Sequence, residues 1–555
     1  MKKHTREHPN VVLILTDDQG YGDLRCHGND KIMTPNLDQM YKESVRFTQF
    51  YTSPLCSPTR ASLMTGRYEY RSGIRATVGG RSLLRPDEFT VAEIFSAAGY
   101  RTGIFGKWHL GDNYPLRAMD RGFQESLVHG GGGIGQTPDA WGNTYFDPVL
   151  CRNGRWEKFR GYCTDIFFEA AINFIEKSRE RPFFVYIPTN APHTPLQVDD
   201  SYAEPYREMG LPDDLAKFYG MITNIDENVG RLINKLQEIN LEKDTIIIFM
   251  SDNGGATGVS YYNAGMRGHK GMVYEGGIRV PCFIRWAGTL DPKDINHIAA
   301  HIDVLPTLLD ACHVPKPVGA SFDGVSLLPL MLGEEAEWPD RALFFQRGNI
   351  PDEQLYGNCA VRTQRYKLVN LKELYDMDAD PGEKENIADE HPSIVDQMRK
   401  MYEEWYRDVS VGLRDPVRIY LGSIRENPAL LTCMDWRDES VFSLWRQDMI
   451  ISKAKSELEG NGYWEVDIRR SGRYKITLYK CHPKSNRELK ILKSGVARLK
   501  LDNIILNQPI NEGATSVSFH VTLKAGPARL QTFLSGQHRD EKEVGAYFVE
   551  VEYIG

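Results

Sequence analysis

Four short apolar runs set the framework of the first 400 residues: Val11–Leu15, Thr102–Phe105, Phe183–Ile187 and Thr245–Met250. Each is continuous rather than alternating and is bounded by polar residues or glycine, as expected of strands buried on both faces of a parallel sheet. Helical stretches are predicted at Thr90–Ala98, Ile166–Ser178, Asp213–Ile239 and Pro392–Val409. In the last, Ile394, Met398, Met401 and Trp405 share one face, which marks a core-facing stripe. The pattern predicts an α/β fold with a mostly parallel central sheet flanked by helices. After about Leu413 the apolar period becomes two, at Tyr474/Ile476/Leu478, Val517/Phe519/Val521/Leu523 and Tyr547/Val549/Val551/Tyr553. That alternation predicts a smaller C-terminal antiparallel β domain, sandwich-like, over 459–555. The chain then divides into a first domain over 1–413, a connector over 414–458 and this last domain. Leu430, Leu431, Met434, Trp436, Phe442 and Trp445 make the connector apolar enough to pack on the first domain, so a buttressing role is expected.

Charge narrows the function classes. Lys+Arg is 67 against Asp+Glu 75, a net charge of −8, which argues against a general nucleic-acid binder. No apolar run approaches the ~20 residues of a membrane span. Nine cysteines in 555 residues do not make a disulfide scaffold. At the start, Met1-Lys2-Lys3 is followed by polar residues, and the run from Val11 is too short for a signal-peptide core. Either the chain is cytoplasmic or its numbering begins after a removed leader.

Ligands of open α/β sheets bind beyond the carboxyl ends of the strands, and each apolar run is followed there by reactive residues. Asp17 and Asp18 follow the first, Lys107 and His109 the second, His193 the third, Asp252 and Asn253 the fourth. Asp17, Asp18, Asp252 and Asn253 are all oxygen donors, the set that hard divalent cations prefer. Either pair alone reads as turn residues; together they point to a metal. The stretch Cys56-Ser57-Pro58-Thr59-Arg60 predicts a helix start, with Ser57 as N-cap, Pro58 in the first turn and Gly66 at the far end. Cys56 then sits where a helix favours an anion, with Arg60 one turn away.

The sequence Cys56-Ser57-Pro58-Thr59-Arg60 followed by Ala61-Ser62-Leu63-Met64-Thr65-Gly66-Arg67 resembles the signature of type I sulfatases, in the alkaline-phosphatase-like superfamily. Asp17-Asp18-Gln19-Gly20, Gly106-Lys107-Trp108-His109-Leu110-Gly111, Ser251-Asp252-Asn253-Gly254 and Glu275-Gly276-Gly277-Ile278-Arg279-Val280-Pro281 support the resemblance, which extends from about Asn10 to Val409. It implies that a maturation enzyme converts Cys56 to formylglycine (3-oxoalanine), whose hydrate attacks sulfur and later releases sulfate. It implies Ca²⁺, in preference to Mg²⁺, on Asp17, Asp18, Asp252, Asn253 and the modified Cys56. It further implies that Asp252 is the base, that Arg60, Lys107 and His109 hold the nucleophile, that His193 protonates the leaving oxygen, and that Lys270 binds sulfate.

Chains of this organisation resemble bacterial carbohydrate sulfatases and arylsulfatases, so a sulfated saccharide is the expected substrate and a periplasmic or secreted location the expected one. Besides His193 and Lys270, Arg75, His129 and Arg267 are candidate substrate contacts, with Arg81, Arg85, Asp112 and Asn113 nearby in sequence. The loop His129–Asn153, with Trp141, Tyr145 and Phe146, is a candidate cleft wall. Two alternatives stay open: a phosphonate or phosphate ester hydrolase of the same superfamily, and a sulfated-glycan-binding protein without turnover.

Overall fold

The structure is a computed structural model. It describes residues 7–334, 338, 340–348, 356–437, 444–455, 460–536 and 543–555. The Met1-Lys2-Lys3 start and Phe442 lie outside the described residues.

The main sheet has ten strands: β1 (Asn10–Thr16), β2 (Val45–Phe47), β3 (Arg101–Lys107), β4 (Glu125–His129), β5 (Val149–Arg152), β6 (Arg155–Lys158), β7 (Phe183–Pro188), β8 (Thr245–Ser251), β9 (Cys282–Arg285) and β10 (Lys293–Ile295). Their spatial order is β10-β2-β9-β8-β1-β7-β3-β4-β5-β6. The five central strands, β8-β1-β7-β3-β4, are mutually parallel. The antiparallel pairings lie outside this centre, β9 on β8 and β2 on one side, β5 and β6 on the other. All residues of β1, β7 and β8 are buried, which is why these strands read as unbroken apolar runs.

Helices cover both faces. On one, α1 (Cys56–Thr65) is buried along its whole length. On the other, α2 (Cys163–Ser178) and α3 (Asp213–Glu238) pack together and against the sheet. The two faces bury separate apolar clusters, one around Val11, Leu13 and Met250, the other around Val12, Ile14 and Phe249. The expected helix at Thr90–Ala98 forms over Val91–Ala97, with Thr90 and Glu93 in a reciprocal capping box. A four-stranded antiparallel sheet, β11 (Leu343–Gln346), β12 (Cys359–Arg362), β13 (Tyr366–Val369) and β14 (Glu373–Asp376), packs with α4 (Pro392–Val409).

The C-terminal region forms two sheets, one of five strands and one of four, around a shared core that includes Trp464, Ile476, Phe519 and Val551. The segment expected to be a connector differs from expectation: Ile419–Leu421 and Ala429–Thr432 are strands, one in each of these sheets. Each is only three or four residues long, too short for its alternation to stand out. The same core takes in Leu83 and Leu116 from the first part of the chain. No helix among the described residues is long and apolar enough to cross a membrane. No disulfide joins any of the nine cysteines, all of which are described.

Candidate active site

Strand register assembles the site. Thr16 of β1 pairs with Ser251 of β8, so Asp17-Asp18 and Asp252-Asn253 leave the sheet side by side. His193 lies in the turn after β7, the strand next to β1, and Lys107 ends β3 on the far side of β7. Helix α1 begins at Cys56 itself, so Ser57 is not the N-cap: its hydroxyl donates to the His109 carbonyl (3.0 Å) and ties the helix start to the loop after β3. Gly66 closes the helix in the left-handed conformation, as expected.

One ligand atom from each of Asp17, Asp18, Cys56 and Asp252 lies within 4.8 Å of the others, and all four residues are buried. Each carboxylate carries one cation. Arg60 donates twice to Asp252 Oδ2 (3.1 and 2.7 Å) and once to the Lys107 carbonyl (2.9 Å). Lys107 Nζ sits 2.6 Å from Asp17 Oδ2, and Lys270 Nζ 2.6 Å from Asp18 Oδ1. Cys56 Sγ faces Asp17 Oδ1 at 3.6 Å. The Lys270 turn is held by backbone bonds from Lys270 to Gly255 (3.0 Å) and from Gly271 to Pro54 (2.9 Å).

Burial dominates the electrostatics. It pushes the Cys56 thiol up to about 12, so the unmodified side chain is a poor nucleophile at neutral pH. Burial, then the Asp17 charge, raises Asp252 above the carboxylate range even with Arg60 bonded to it. Burial disfavours the Asp18 anion too, but the Lys270 ammonium outweighs it and holds Asp18 ionised. Burial and Lys270 bring His193 down to about 4. Burial, Lys107 and Arg60 keep His109 neutral.

The donor set fits a hard divalent cation. Three carboxylates converge, Asp252 is still short of positive charge, and Asn253 Oδ1 is buried with no hydrogen-bond partner among the described residues while its Nδ2 donates to Asp18 (2.9 Å). An oxygen acceptor left bare beside three carboxylates is what a cation ligand looks like without its ion.

The model of the family described as "Sulfatase" matches residues 9–314, and that described as "N-sulphoglucosamine sulphohydrolase, C-terminal" matches 267–408. Human arylsulfatase A is 31% identical over 463 residues, covering 71% of this chain and 87% of that protein. The chain belongs to the sulfatase family. It is a sulfuric ester hydrolase. Rat N-acetylgalactosamine-6-sulfatase is 31% identical over 374 residues, covering 61% of this chain and 68% of that protein. Among solved structures, Ps i-CgsB in complex with k-i-k-neocarrahexaose is 28% identical with a TM-score of 0.67, covering 74% of this chain and 94% of that one. BT4656 in complex with its substrate D-glucosamine-2-N,6-O-disulfate shares the fold, with a TM-score of 0.59 at 23% identity, covering 74% and 99%.

The other candidate residues of this sulfatase are distributed unevenly. His193 Nε2 lies 3.9 Å from Asp18 Oδ2, and its Nδ1 is 2.7 Å from the Thr194 carbonyl. His129 pairs in register with Lys107, is buried, and sets Nδ1 2.9 Å from the Gly130 carbonyl. Arg75 lies beside Arg81 and Arg437; burial and those two charges bring Arg437 down to about 10. Arg267 is not brought to the cluster: its guanidinium donates to Tyr375 Oη (2.7 Å) and stacks on Tyr274 at 4.0 Å, because the small sheet β11–β14 supplies its partners.

Several contributors carry no side-chain signal in the sequence. His109 Nε2 is 3.1 Å from the Thr77 carbonyl. A Cβ on Gly132 would lie 2.1 Å from His109 Cε1, so only glycine lets the loop close over that ring. Asp139 shapes the loop by accepting from the amides of Gly130 (3.2 Å) and Gly135 (2.9 Å). In the expected cleft wall, Tyr145 is buried with its Oη 2.8 Å from the carbonyls of Asn190 and His193, while Trp141 stacks on His482.

Proposed function

We propose that this sulfatase removes sulfate from a sulfated carbohydrate, using residue 56 matured from cysteine to formylglycine and a Ca²⁺ ion held by Asp17, Asp18, Asp252 and Asn253. The observation that carries the reading is the buried Cys56 thiol, unfit as a thiolate, set among three carboxylates and three cations. A hard divalent cation there supplies polarisation of a sulfate oxygen, and formylglycine supplies hydroxyl in place of thiol at position 56.

The chain's own residues do the rest. Asp252, placed beside residue 56 in the buried cluster, takes the proton of the attacking hydroxyl. Arg60 fixes Asp252 and, through its bond to the Lys107 carbonyl, fixes the end of β3 as well. Lys107 and His109 orient residue 56, and Lys270 binds a sulfate oxygen. His193, its Nδ1–H held on the Thr194 carbonyl, acts as imidazolium in the substrate complex, where the bound sulfate anion favours that form, and gives its Nε2 proton to the leaving sugar oxygen. A maturation enzyme acting on Cys56 is the implied partner. The carbohydrate class is supported by the N-acetylgalactosamine-6-sulfatases and by the saccharide complex of Ps i-CgsB. Such substrates place the enzyme's work in the periplasm or outside the cell.

The test joins intact mass of the Cys56 peptide to turnover of defined sulfated saccharides and of matched phosphate esters. The expected mass is that of the aldehyde, and Cys56→Ala is expected to lose at least ~10³-fold in kcat/KM. Undiminished turnover by Cys56→Ala removes the nucleophile, and phosphate turned over far faster than sulfate removes the substrate class.

A further inference from the structure

A cavity of about 390 Å³ lies where the loops after β3 and β4 meet residues 425–435 of the C-terminal region. None of the cluster residues Asp17, Asp18, Cys56 or Asp252 lines it. Asp112, Asn113 and His129 form one wall, Glu426, Thr432 and Asp435 the other, and the exposed side chains of Trp156 and Met119 stand at its rim. Its size falls in the ~300–1,000 Å³ range of small-molecule clefts.

Its polar groups are under-used. The Asp435 side chain is buried, with 7% of the residue exposed, and its carboxylate accepts no hydrogen bond from the described residues. Asp112 accepts one, from the Gly131 amide at 2.9 Å. Burial, then the Asp112 charge, raises Asp435 to about 7, and burial raises Asp112 to about 6. Thr432 Oγ1 and His129 Nε2 are buried without a partner among the described residues. Two buried atoms without a partner, beside two carboxyl groups with acceptor positions to spare, point to a missing polar ligand.

The lining selects the ligand. Asp112, Glu426 and Asp435 outnumber the arginines of the lining, Arg117, which is paired with Asp120 and Glu426, and the exposed Arg425, so an anion is disfavoured. Asp112 and Asp435 do not form a metal cluster either: among the described residues the one convergent group of three or more potential ligands is that at Cys56. What fits is an uncharged molecule rich in hydroxyl donors, with an apolar face for Trp156. We propose that this cavity binds a neutral, unsulfated sugar ring whose hydroxyls donate to Asp112 and Asp435. The choice of a sugar over other polyols rests on the carbohydrate reading above. His129 joins this cavity to the catalytic centre, because it lines the one and pairs in register with Lys107 in the other.

The experiment uses the full chain, with D-galactose, D-glucose and L-fucose as probes, D-galactose 6-sulfate as the anionic comparator and ethanolamine as the cationic one. Saturation-transfer NMR and titration calorimetry read binding to the wild type, Asp435→Asn and Trp156→Ala. The expected result is millimolar binding of at least one neutral sugar, weakened about tenfold or more in Asp435→Asn and also weakened in Trp156→Ala. Trp156 is a rim residue, so that variant keeps the test valid should Asp435→Asn fail to fold. No binding of any neutral sugar, binding unchanged in both variants, or binding of ethanolamine alone overturns the proposal. Desulfation of sulfated saccharides is measured in parallel. Neutral-sugar binding without desulfation leaves the cavity assignment standing while the carbohydrate reading falls; desulfation without neutral-sugar binding does the reverse.

Discussion

His193 is placed by its surroundings more than by its own chemistry. Thr194 orients one ring nitrogen, Tyr145 lies against the carbonyl of the same residue, and Gly133 leaves room beside the ring. The other nitrogen points to the Asp18–Lys270 pair. A sugar alkoxide is a poor leaving group and needs a proton, which this nitrogen carries once the ring is imidazolium, whereas a nitrophenolate leaves unaided. His193→Ala is therefore expected to cost about 10²–10⁴-fold in kcat/KM on sugar sulfates and under about tenfold on 4-nitrophenyl sulfate. Steady-state kinetics on both substrates checks this, and equal losses would contradict the general-acid role. At this scale the sequence was legible where chemistry resides in side chains that follow strand ends within one or two residues, as at Asp17-Asp18 and Asp252-Asn253. It was silent where backbone does the work. Nothing about Thr77 marks its carbonyl as a partner for His109, and Gly132 matters only because a ring lies against it.

Among the elements, the central strands were legible because burial on both faces leaves no polar position to interrupt them. The outer strand β6 (Arg155–Lys158) is fully exposed and carries no apolar signal, so register with β5 alone defines it. The sheet β11–β14 was equally hidden in sequence, yet a buried network ties it to the short helix Glu275–Ile278 and to Tyr51 of a separate two-stranded sheet. Lys367 Nζ lies 3.0 Å from Glu275 Oε1 and 2.8 Å from Glu383 Oε1, and Tyr51 donates to Glu275 Oε2 (3.1 Å). Removing Lys367 strips Glu383 of its one ion-pair partner among the described residues and leaves Glu275 with Arg279 at 3.7 Å, and breaking a buried pair in this way typically costs about 3–5 kcal/mol. Lys367→Ala is expected to lower stability by that amount in denaturant titration, while the double variant Lys367→Met/Glu275→Gln recovers part of it. A single variant as stable as the wild type would show that the network does not hold the small sheet to that helix.

For the whole molecule, the net charge of −8 coexists with Arg60, Lys107 and Lys270 gathered in one buried site, so the bulk charge says little about the local field. The C-terminal sheets bear on that site mechanically. Gln447 Nε2 reaches the carbonyls of Gln136, Asp139 and Ala140 (3.0, 3.1 and 3.2 Å), and its Oε1 accepts from Gly142 (2.8 Å). Thr137 is bonded to Leu444 and Trp445, and Gly79 to Met434 (2.7 Å). These bonds clamp the loop whose glycines cover His109 and His193, and Leu83 and Leu116 lie under the same C-terminal core. The buttressing role read from the apolar residues of 414–458 thus has a concrete form, that segment being strand and clamp together. Without it, buried leucines meet water and the loop loses bonds each worth about 1 kcal/mol. A chain ending at Leu413 is therefore expected to aggregate on size exclusion. Gln447→Ala in the full chain should elute as the wild type does and stay folded by far-UV circular dichroism but lose about tenfold in kcat/KM on sulfate esters. A monomeric chain 1–413 with full activity would show that the catalytic loops hold their shape alone and that the C-terminal sheets serve something other than support.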